Sequence, residues 1–227
     1  MHKGVYVGSN AIVQRVRVLI LGESHHINKE DVYNCDVGKE ATYPTFRVVE
    51  EYFADVERKE KSLRFFERIA ESFCDYASLE EEKTTFWNKV CFGNYIPVLC
   101  GVGDNTATKI IKKDENRKIY NNDLFNFVNS NEIDVIFCFS RRVYNALPSV
   151  HNKMEDQGKV LTGIYVGGKA DYISCCEYMP NVDHKNTDVL LKKKLRVYCM
   201  RHPSGKGGFI PSNYKGFLQE CFHKYIG

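Results

Sequence analysis

The chain has 227 residues, of which 43% are hydrophobic and 27% are charged, so it is long enough to bury one full α/β core. Its formal net charge of +3 is far below that of a dedicated, strongly basic nucleic-acid-binding protein. The nine cysteines form no CxxC pair and have no zinc-finger spacing, which argues against a metal or cofactor and favours buried thiols. The N-terminus carries neither a signal peptide nor a membrane-spanning run, so we expect a cytoplasmic protein without membrane contact.

The first half of the chain contains one clear central strand. Residues 15–21 (RVRVLIL) alternate briefly and then become continuously apolar, as in a strand that is covered on both faces. A loop over residues 22–44 follows, and helical spacing of apolar residues predicts helices from Thr45 and from Ser62. The aromatic segment 86–97 predicts a helix end and then a short strand that stops at Pro97.

The middle of the chain contains a second clear strand. The polar segment 101–122 predicts a long loop, after which Asn122 or Asp123 is placed to cap a short helix. Residues 133–139 (IDVIFCF) form the strand, and residues 141–147 a helix that Pro148 closes.

The last third predicts a hairpin, a strand and a helix. Strand-like runs around Gly167-Gly168 predict a β-hairpin insertion at about residues 149–194. Residues 195–200 form the last core strand, and an amphipathic helix begins near Pro211. The whole pattern predicts an α/β protein, a three-layer α/β/α sandwich with a mainly parallel central sheet, in a single domain over residues 1–227.

Two loops that are far apart in sequence each follow a core strand. Gly22-Glu23-Ser24-His25-His26 follows the first strand, and His202-Pro203-Ser204-Gly205 follows the last. Because parallel strands end at the same edge, we expect both loops to border one cleft. Glu23 is placed to orient a water or stabilise a cation, and His202 to hydrogen-bond an oxygen that gains charge. The glycine-rich turn with Ser204, Gly205 and Lys206 is suited to a phosphate.

The order of these segments resembles that of the uracil-DNA glycosylase superfamily. The glycine-acid turn of Leu21 to His26 comes first, and an aromatic segment at Tyr43-Pro44-Thr45-Phe46 follows. Next come Phe92-Gly93-Asn94-Tyr95-Ile96-Pro97, the strand Asp134-Val135-Ile136-Phe137 and the terminal His202-Pro203-Ser204. The resemblance spans about residues 16–222.

The resemblance implies a DNA glycosylase that hydrolyses the N-glycosidic bond of a flipped uracil or modified base. Glu23 would position the water or stabilise the sugar cation, and His202 would stabilise the leaving base. Phe46 would stack on that base and Asn94 would hydrogen-bond its edge, with the turn residues Gly22, Ser24, His25 and His26 around it. Ser204, Gly205 and Lys206 would contact the DNA backbone. We expect DNA as the partner, a monomer, and no cofactor or metal.

Some assignments stay open at this point. Tyr43, Tyr95 or Asn88 could take the role of Phe46 or Asn94, and Ser24-His25 stands where the superfamily usually has a proline. One alternative function is a non-catalytic nucleic-acid-binding module of the same fold. Another is a hydrolase similar to the erythromycin esterases, which also have a GE-x-H turn at a strand end.

Overall fold

The computed structural model describes residues 5–26, 49, 52–53, 64–74, 79–97, 99–100, 106–148, 159–166, 169–203 and 209–226. Seven of its strands form one sheet, and two short strands pair separately. The strands are β1 (Val5–Val7), β2 (Val18–Gly22), β3 (His25–His26), β4 (Cys91–Asn94), β5 (Leu99–Cys100), β6 (Val135–Cys138), β7 (Lys159–Val166), β8 (Lys169–Tyr178) and β9 (Leu195–Cys199).

The centre of the sheet is parallel and its edges are antiparallel. The spatial order is β1-β4-β2-β6-β9-β8-β7, and β4, β2, β6 and β9 run parallel to one another. β1 pairs antiparallel with β4 at one edge, and β8 and β7 continue the other edge antiparallel beyond β9. β3 and β5 form the separate parallel pair. The α/β prediction is therefore confirmed.

Among the described residues, five helices lie between strands along the chain, and a sixth follows the last strand. They are α1 (Arg64–Phe73), α2 (Leu79–Asn88), α3 (Thr106–Lys112), α4 (Asp114–Asn131), α5 (Arg141–Ala146) and α6 (Pro211–Tyr225), with a 3-10 turn at Ala11–Val13. None of the helices in the part of the chain that the structure describes is long and apolar enough to cross a bilayer.

Alternate residues of each central strand belong to two separate hydrophobic clusters. Val18 and Ile20 of β2 pack with buried residues of α1, α2 and α6. Leu19 and Leu21, the residues between and after them, pack with buried residues of α3, α4 and α5. All five residues of β2 are buried, as the continuous apolar run predicts for a strand that is covered on both faces.

Most elements lie where the sequence predicts them. β2, β6, β9, α1, α5 and α6 fall within or close to their predicted ranges, and β4 ends at Asn94, ahead of Pro97. Val49, Tyr52 and Phe53 of the helix predicted from Thr45 have helical backbone. β7 and β8 lie in the region 149–194 for which the sequence predicts a hairpin.

The long loop predicted over residues 101–122 is wrong. Within it α3 spans Thr106–Lys112, and α4 begins at Asp114 rather than at Asn122 or Asp123. The apolar residues of this segment are few, but those at positions 107, 111 and 124 are buried in one cluster. Acidic side chains in the first turn favour the start of α4 at Asp114. The many polar residues form the solvent face of two helices.

A buried ion pair joins α1 to α2. Lys83 of α2 has a side chain that is only 3% exposed, and its Nζ pairs with Oε1 of Glu67 on α1. The other oxygen, Oε2, accepts a hydrogen bond from the Tyr52 hydroxyl at 3.1 Å. A buried ammonium without an anion is costly, so this pair fixes how α1 lies on α2.

We predict that breaking this pair destabilises the fold. Glu67→Gln leaves the buried Lys83 ammonium without that carboxylate and should cost about 3 kcal/mol in free energy of unfolding. The double variant Glu67→Gln/Lys83→Met should recover most of the loss, because both charges are then gone. Urea unfolding measures both values. Lys118→Gln, which breaks the exposed pair with Asp188, is the control and should cost less than about 1 kcal/mol. Equal losses in Glu67→Gln and Lys118→Gln would contradict the account.

Candidate functional site

The carboxyl ends of the four parallel strands lie at one edge of the sheet. From β2 the chain passes to β4 on one side, and from β4 it crosses to β6 on the other side. The edge between β2 and β6 is therefore a topological switch point, the place where α/β proteins with open sheets bind ligands. The predicted turn that contains Glu23 follows β2 at this point.

Glu23 is held by two side chains from the segment that follows β6. The residue is only 8% exposed. Its Oε2 accepts a hydrogen bond from Ser140 Oγ at 2.6 Å, and its Oε1 pairs with Arg142 Nη1 at 2.7 Å. The backbone is also fixed, because the Ile96 N–H donates to the Glu23 carbonyl at 3.0 Å. A carboxylate in this position is both oriented and partly dry.

The Ser140 hydroxyl accepts one hydrogen bond and donates another. Ser140 is the N-cap of α5, where its Oγ accepts a hydrogen bond from the Val143 N–H at 3.2 Å. A hydroxyl has a single proton, so the proton of Ser140 goes to Glu23. The N-cap of α5 and the Glu23 carboxylate are therefore linked through the Oγ of Ser140, which is buried.

Asn94 lies across Gly22 at the end of the neighbouring strand. The two residues are partners in the parallel register of β2 and β4. A Cβ added to Gly22 would lie 2.3 Å from Asn94 Oδ1 and 3.3 Å from Phe65 Cζ. Only glycine leaves room for the amide in this place.

Phe65 connects this group to the second predicted loop. It is the second residue of α1, and its ring centroid lies 5.3 Å from that of His202. Since the same ring also lies beside Gly22, the ends of β2, β4 and β9 meet around one aromatic side chain. The two loops are thus brought together, with Phe65 between them.

The same helix also holds the turn after β9. Arg68, one turn beyond Phe65 on the same face of α1, donates a hydrogen bond from Nη1 to the Pro203 carbonyl. Pro203 is buried and His202 half-buried. α1 therefore positions the histidine through two contacts.

The thiols near Glu23 are neutral. Cys100 of β5 is fully buried and hydrogen-bonds with Ser24, and burial raises the pKa of its thiol. Burial also raises the pKa of Cys138 to about 12. Thiolate is the nucleophilic form of cysteine, so neither residue is suited to covalent catalysis at neutral pH.

Of the predicted site residues, Gly22 and Asn94 lie beside Phe65, whose ring contacts His202, and Glu23 follows Gly22 with its carboxylate toward Ser140 and Arg142. The backbone of His25 and His26 forms β3 against β5, and Ser24 contacts Cys100. The remaining predicted residues lie outside the described residues: Phe46, Ser204, Gly205, Lys206 and the alternative Tyr43.

Two of the alternative residues lie away from the group at Gly22. Tyr95 is 3% exposed, and its hydroxyl donates to Asn121 Oδ1 at 2.9 Å within the cluster on the other face of the sheet. Asn88 ends α2 before β4 begins, so it lies at the opposite edge of the sheet. Its Oδ1 accepts from Tyr6 at 3.4 Å.

Sequence reasoning missed Phe65, Ser140 and Arg142. The sequence does contain a signal for Phe65. It is an aromatic residue next to the buried Phe66, but it does not fit the helical spacing of Phe66, Ile69 and Phe73 that forms the core face. Comparison with known proteins adds no assignment: no protein-family model matches the chain, and no curated protein matches it.

We predict that Gly22→Ala displaces the Asn94 amide. The new Cβ overlaps Oδ1, so the variant should lose about 1–3 kcal/mol of stability, and the side-chain NH₂ resonances of Asn94 should shift in ¹H–¹⁵N spectra. Gly216→Ala is the matched control, since among the described residues no atom outside the adjoining residues and backbone of its own helix lies within 4 Å of a Cβ added there. It should be neutral or stabilising by up to about 1 kcal/mol. An unchanged Asn94 resonance in Gly22→Ala would disprove the close approach.

Proposed function

We propose that this protein is a DNA glycosylase that hydrolyses the N-glycosidic bond of a uracil-like or modified base. The observation that carries the proposal is that Asn94 and Phe65 meet at the bare face of Gly22 and His202 lies against the same Phe65 ring, while the next residue along the chain is the anchored Glu23. An amide, an aromatic ring and an imidazole are the groups that a flipped base requires, and a carboxylate is what the developing sugar cation requires.

We also propose the finer fold, a single three-layer α/β/α domain of the uracil-DNA glycosylase type. The two separate hydrophobic clusters support it, because each takes alternate residues of the central strands together with helices on its own side. Four of the segments that carry the resemblance end at the carboxyl edge of the sheet: the Glu23 turn, the Asn94 segment, the strand β6 and the His202 turn. Their order along the chain is the order of the corresponding segments in that superfamily.

In the proposed reaction the base leaves the DNA stack and lies against Phe65. The Asn94 amide hydrogen-bonds the Watson-Crick edge of the base, and His202 donates a hydrogen bond to the base oxygen that gains negative charge. The C1′–N bond breaks and its electron pair stays on the base, which leaves an oxocarbenium-like sugar. Water then adds to C1′, and Glu23 accepts a proton from it. Glu23 returns its proton to solvent and the anionic base takes one up from solvent, so the products are the neutral free base and an abasic site.

The positions of the side chains agree with separate roles in binding the base and in acting on the sugar. Asn94 and Phe65 of α1 meet beside Gly22, and His202 contacts the same ring, whereas the Glu23 carboxylate turns toward α5. A base bound on the α1 side would place its sugar over the edge itself, beside Glu23. The resemblance adds Phe46 as a second stacking residue and Ser204, Gly205 and Lys206 as backbone contacts.

One observation favours the alternative of a non-catalytic DNA-binding module. Both oxygens of the Glu23 carboxylate are already engaged, one by Ser140 and one by Arg142. A binding module needs only the aromatic ring and the cations at the edge. The two functions differ in whether Glu23 is needed for product formation or is dispensable.

We predict base excision that depends on Glu23 and His202. Labelled oligonucleotides containing uracil, mismatched thymine, hypoxanthine or hydroxymethylated pyrimidines are incubated with the protein, and abasic sites are detected by alkaline strand cleavage. Glu23→Ala and His202→Ala should each lower the rate by about 10²- to 10⁴-fold. Phe65→Leu should weaken substrate binding more than it slows the chemical step, because it removes only stacking.

Exposed residues of α6 provide matched controls. Glu220→Ala and His223→Ala remove the same kinds of side chain far from the edge and should keep full activity. Full activity in Glu23→Ala or His202→Ala would remove that residue from the mechanism. DNA binding without cleavage of any oligonucleotide in the panel would replace the glycosylase with the binding module.

A further inference from the structure

Arg142 makes the more exposed of the two contacts that hold Glu23. Its side chain is 43% exposed, whereas that of Glu23 is 10% exposed. The ion pair therefore lies where the buried end of the site meets solvent. The second anchor differs in kind, because Ser140 is 1% exposed and is fixed by its bond to Val143.

We propose that Arg142 makes the site selective for polynucleotides by exchanging Glu23 for a backbone phosphate. Without DNA, its guanidinium pairs with Oε1 and offsets the charge of the carboxylate. When DNA is bound, the Arg142 guanidinium pairs with a phosphodiester oxygen instead. The Oε1 atom of Glu23 then becomes available to the water and the sugar cation. This proposal rests on the proposed function, whose site it regulates.

The exchange is physically favourable for three reasons. The pair is open on one side only, since the Arg142 side chain is 43% exposed and that of Glu23 is 10% exposed, so water screens the guanidinium and the loss of the pair costs less than the loss of a fully buried one. A guanidinium has a donor geometry that matches phosphate as well as carboxylate. DNA brings many phosphates at once and releases counterions when cations bind them, which a single internal carboxylate does not.

The exchange leaves the carboxylate in place. Ser140 keeps its hydrogen bond to Oε2 at 2.6 Å, because its Oγ already accepts from Val143 and, among the described residues, its proton goes to Glu23. The main-chain bond from Ile96 to the Glu23 carbonyl is also independent of Arg142. Glu23 thus gains net charge without losing its orientation. A free nucleoside has no phosphate and leaves the pair closed.

A binding cycle tests this inference without any need for catalysis. The probe is a fluorescein-labelled 12-nucleotide single-stranded DNA with one 2′-fluoro-2′-deoxyuridine, whose glycosidic bond resists cleavage, and fluorescence anisotropy gives its Kd over a series of KCl concentrations. The proteins are wild type, Arg142→Gln, Glu23→Gln and the double variant. Lys118→Gln is the control, since it also removes a cation from an exposed ion pair.

Each variant has a distinct expected result. Arg142→Gln should weaken binding and lower the slope of log K against log salt by about 0.7, the value for one lost contact to single-stranded DNA. Glu23→Gln should tighten binding at least threefold, because Arg142 then has no internal competitor. In the Arg142→Gln background the same substitution should have less than half of that effect. Lys118→Gln should leave the Kd within about twofold.

The outcomes separate this inference from the proposed function. Equal tightening by Glu23→Gln in both backgrounds would mean a general charge effect and would overturn the exchange, even if the wild type excises uracil. Coupling between the two residues without excision would support the exchange and overturn the hydrolytic function. A wild type that does not bind the oligonucleotide at low salt would overturn both.

Discussion

The parallel register of β2 with β4 and β6 is the constraint on which the candidate site depends. It aligns Gly22 with Asn94 on one side and Leu21 with Cys138 on the other. Glu23 and Ser140, each two residues beyond the pair of Leu21 and Cys138, therefore reach the same edge and meet. A shift of one residue in either pairing would turn Asn94 or Ser140 to the opposite face of the sheet.

The helix α1 is the second support of the site. It contributes Phe65 and Arg68 to the turn after β9, and it is itself held on α2 by the buried pair of Glu67 and Lys83. His202, which follows β9, is thus positioned by the helix α1 of the first crossover. This cross-connection makes the two distant loops one site rather than two neighbouring turns.

Elements that depend on local patterns were predictable from the sequence, whereas contacts between crossovers were not. Continuous apolar runs identified β2, β6 and β9, and their parallel order placed Glu23 and His202 at one edge. The helix α3 and the first half of α4 were missed because few of their residues are apolar, whereas the second half of α4 was predicted as a short helix from Asn122 or Asp123. Ser140 and Arg142 were missed because their role appears only when β6 lies beside β2. Phe65 was overlooked because Phe66, its neighbour, satisfies the helical period.

The most direct test is a crystal structure with an oligonucleotide that carries 2′-fluoro-2′-deoxyuridine, whose glycosidic bond resists cleavage. The account predicts that the uracil ring is flipped out and lies against Phe65, with the Asn94 amide at its Watson-Crick edge and His202 at a carbonyl oxygen. The C1′ atom should face Glu23 across the end of β2. A uracil that remains stacked in the DNA, or that binds away from Phe65 and Asn94, would contradict the account.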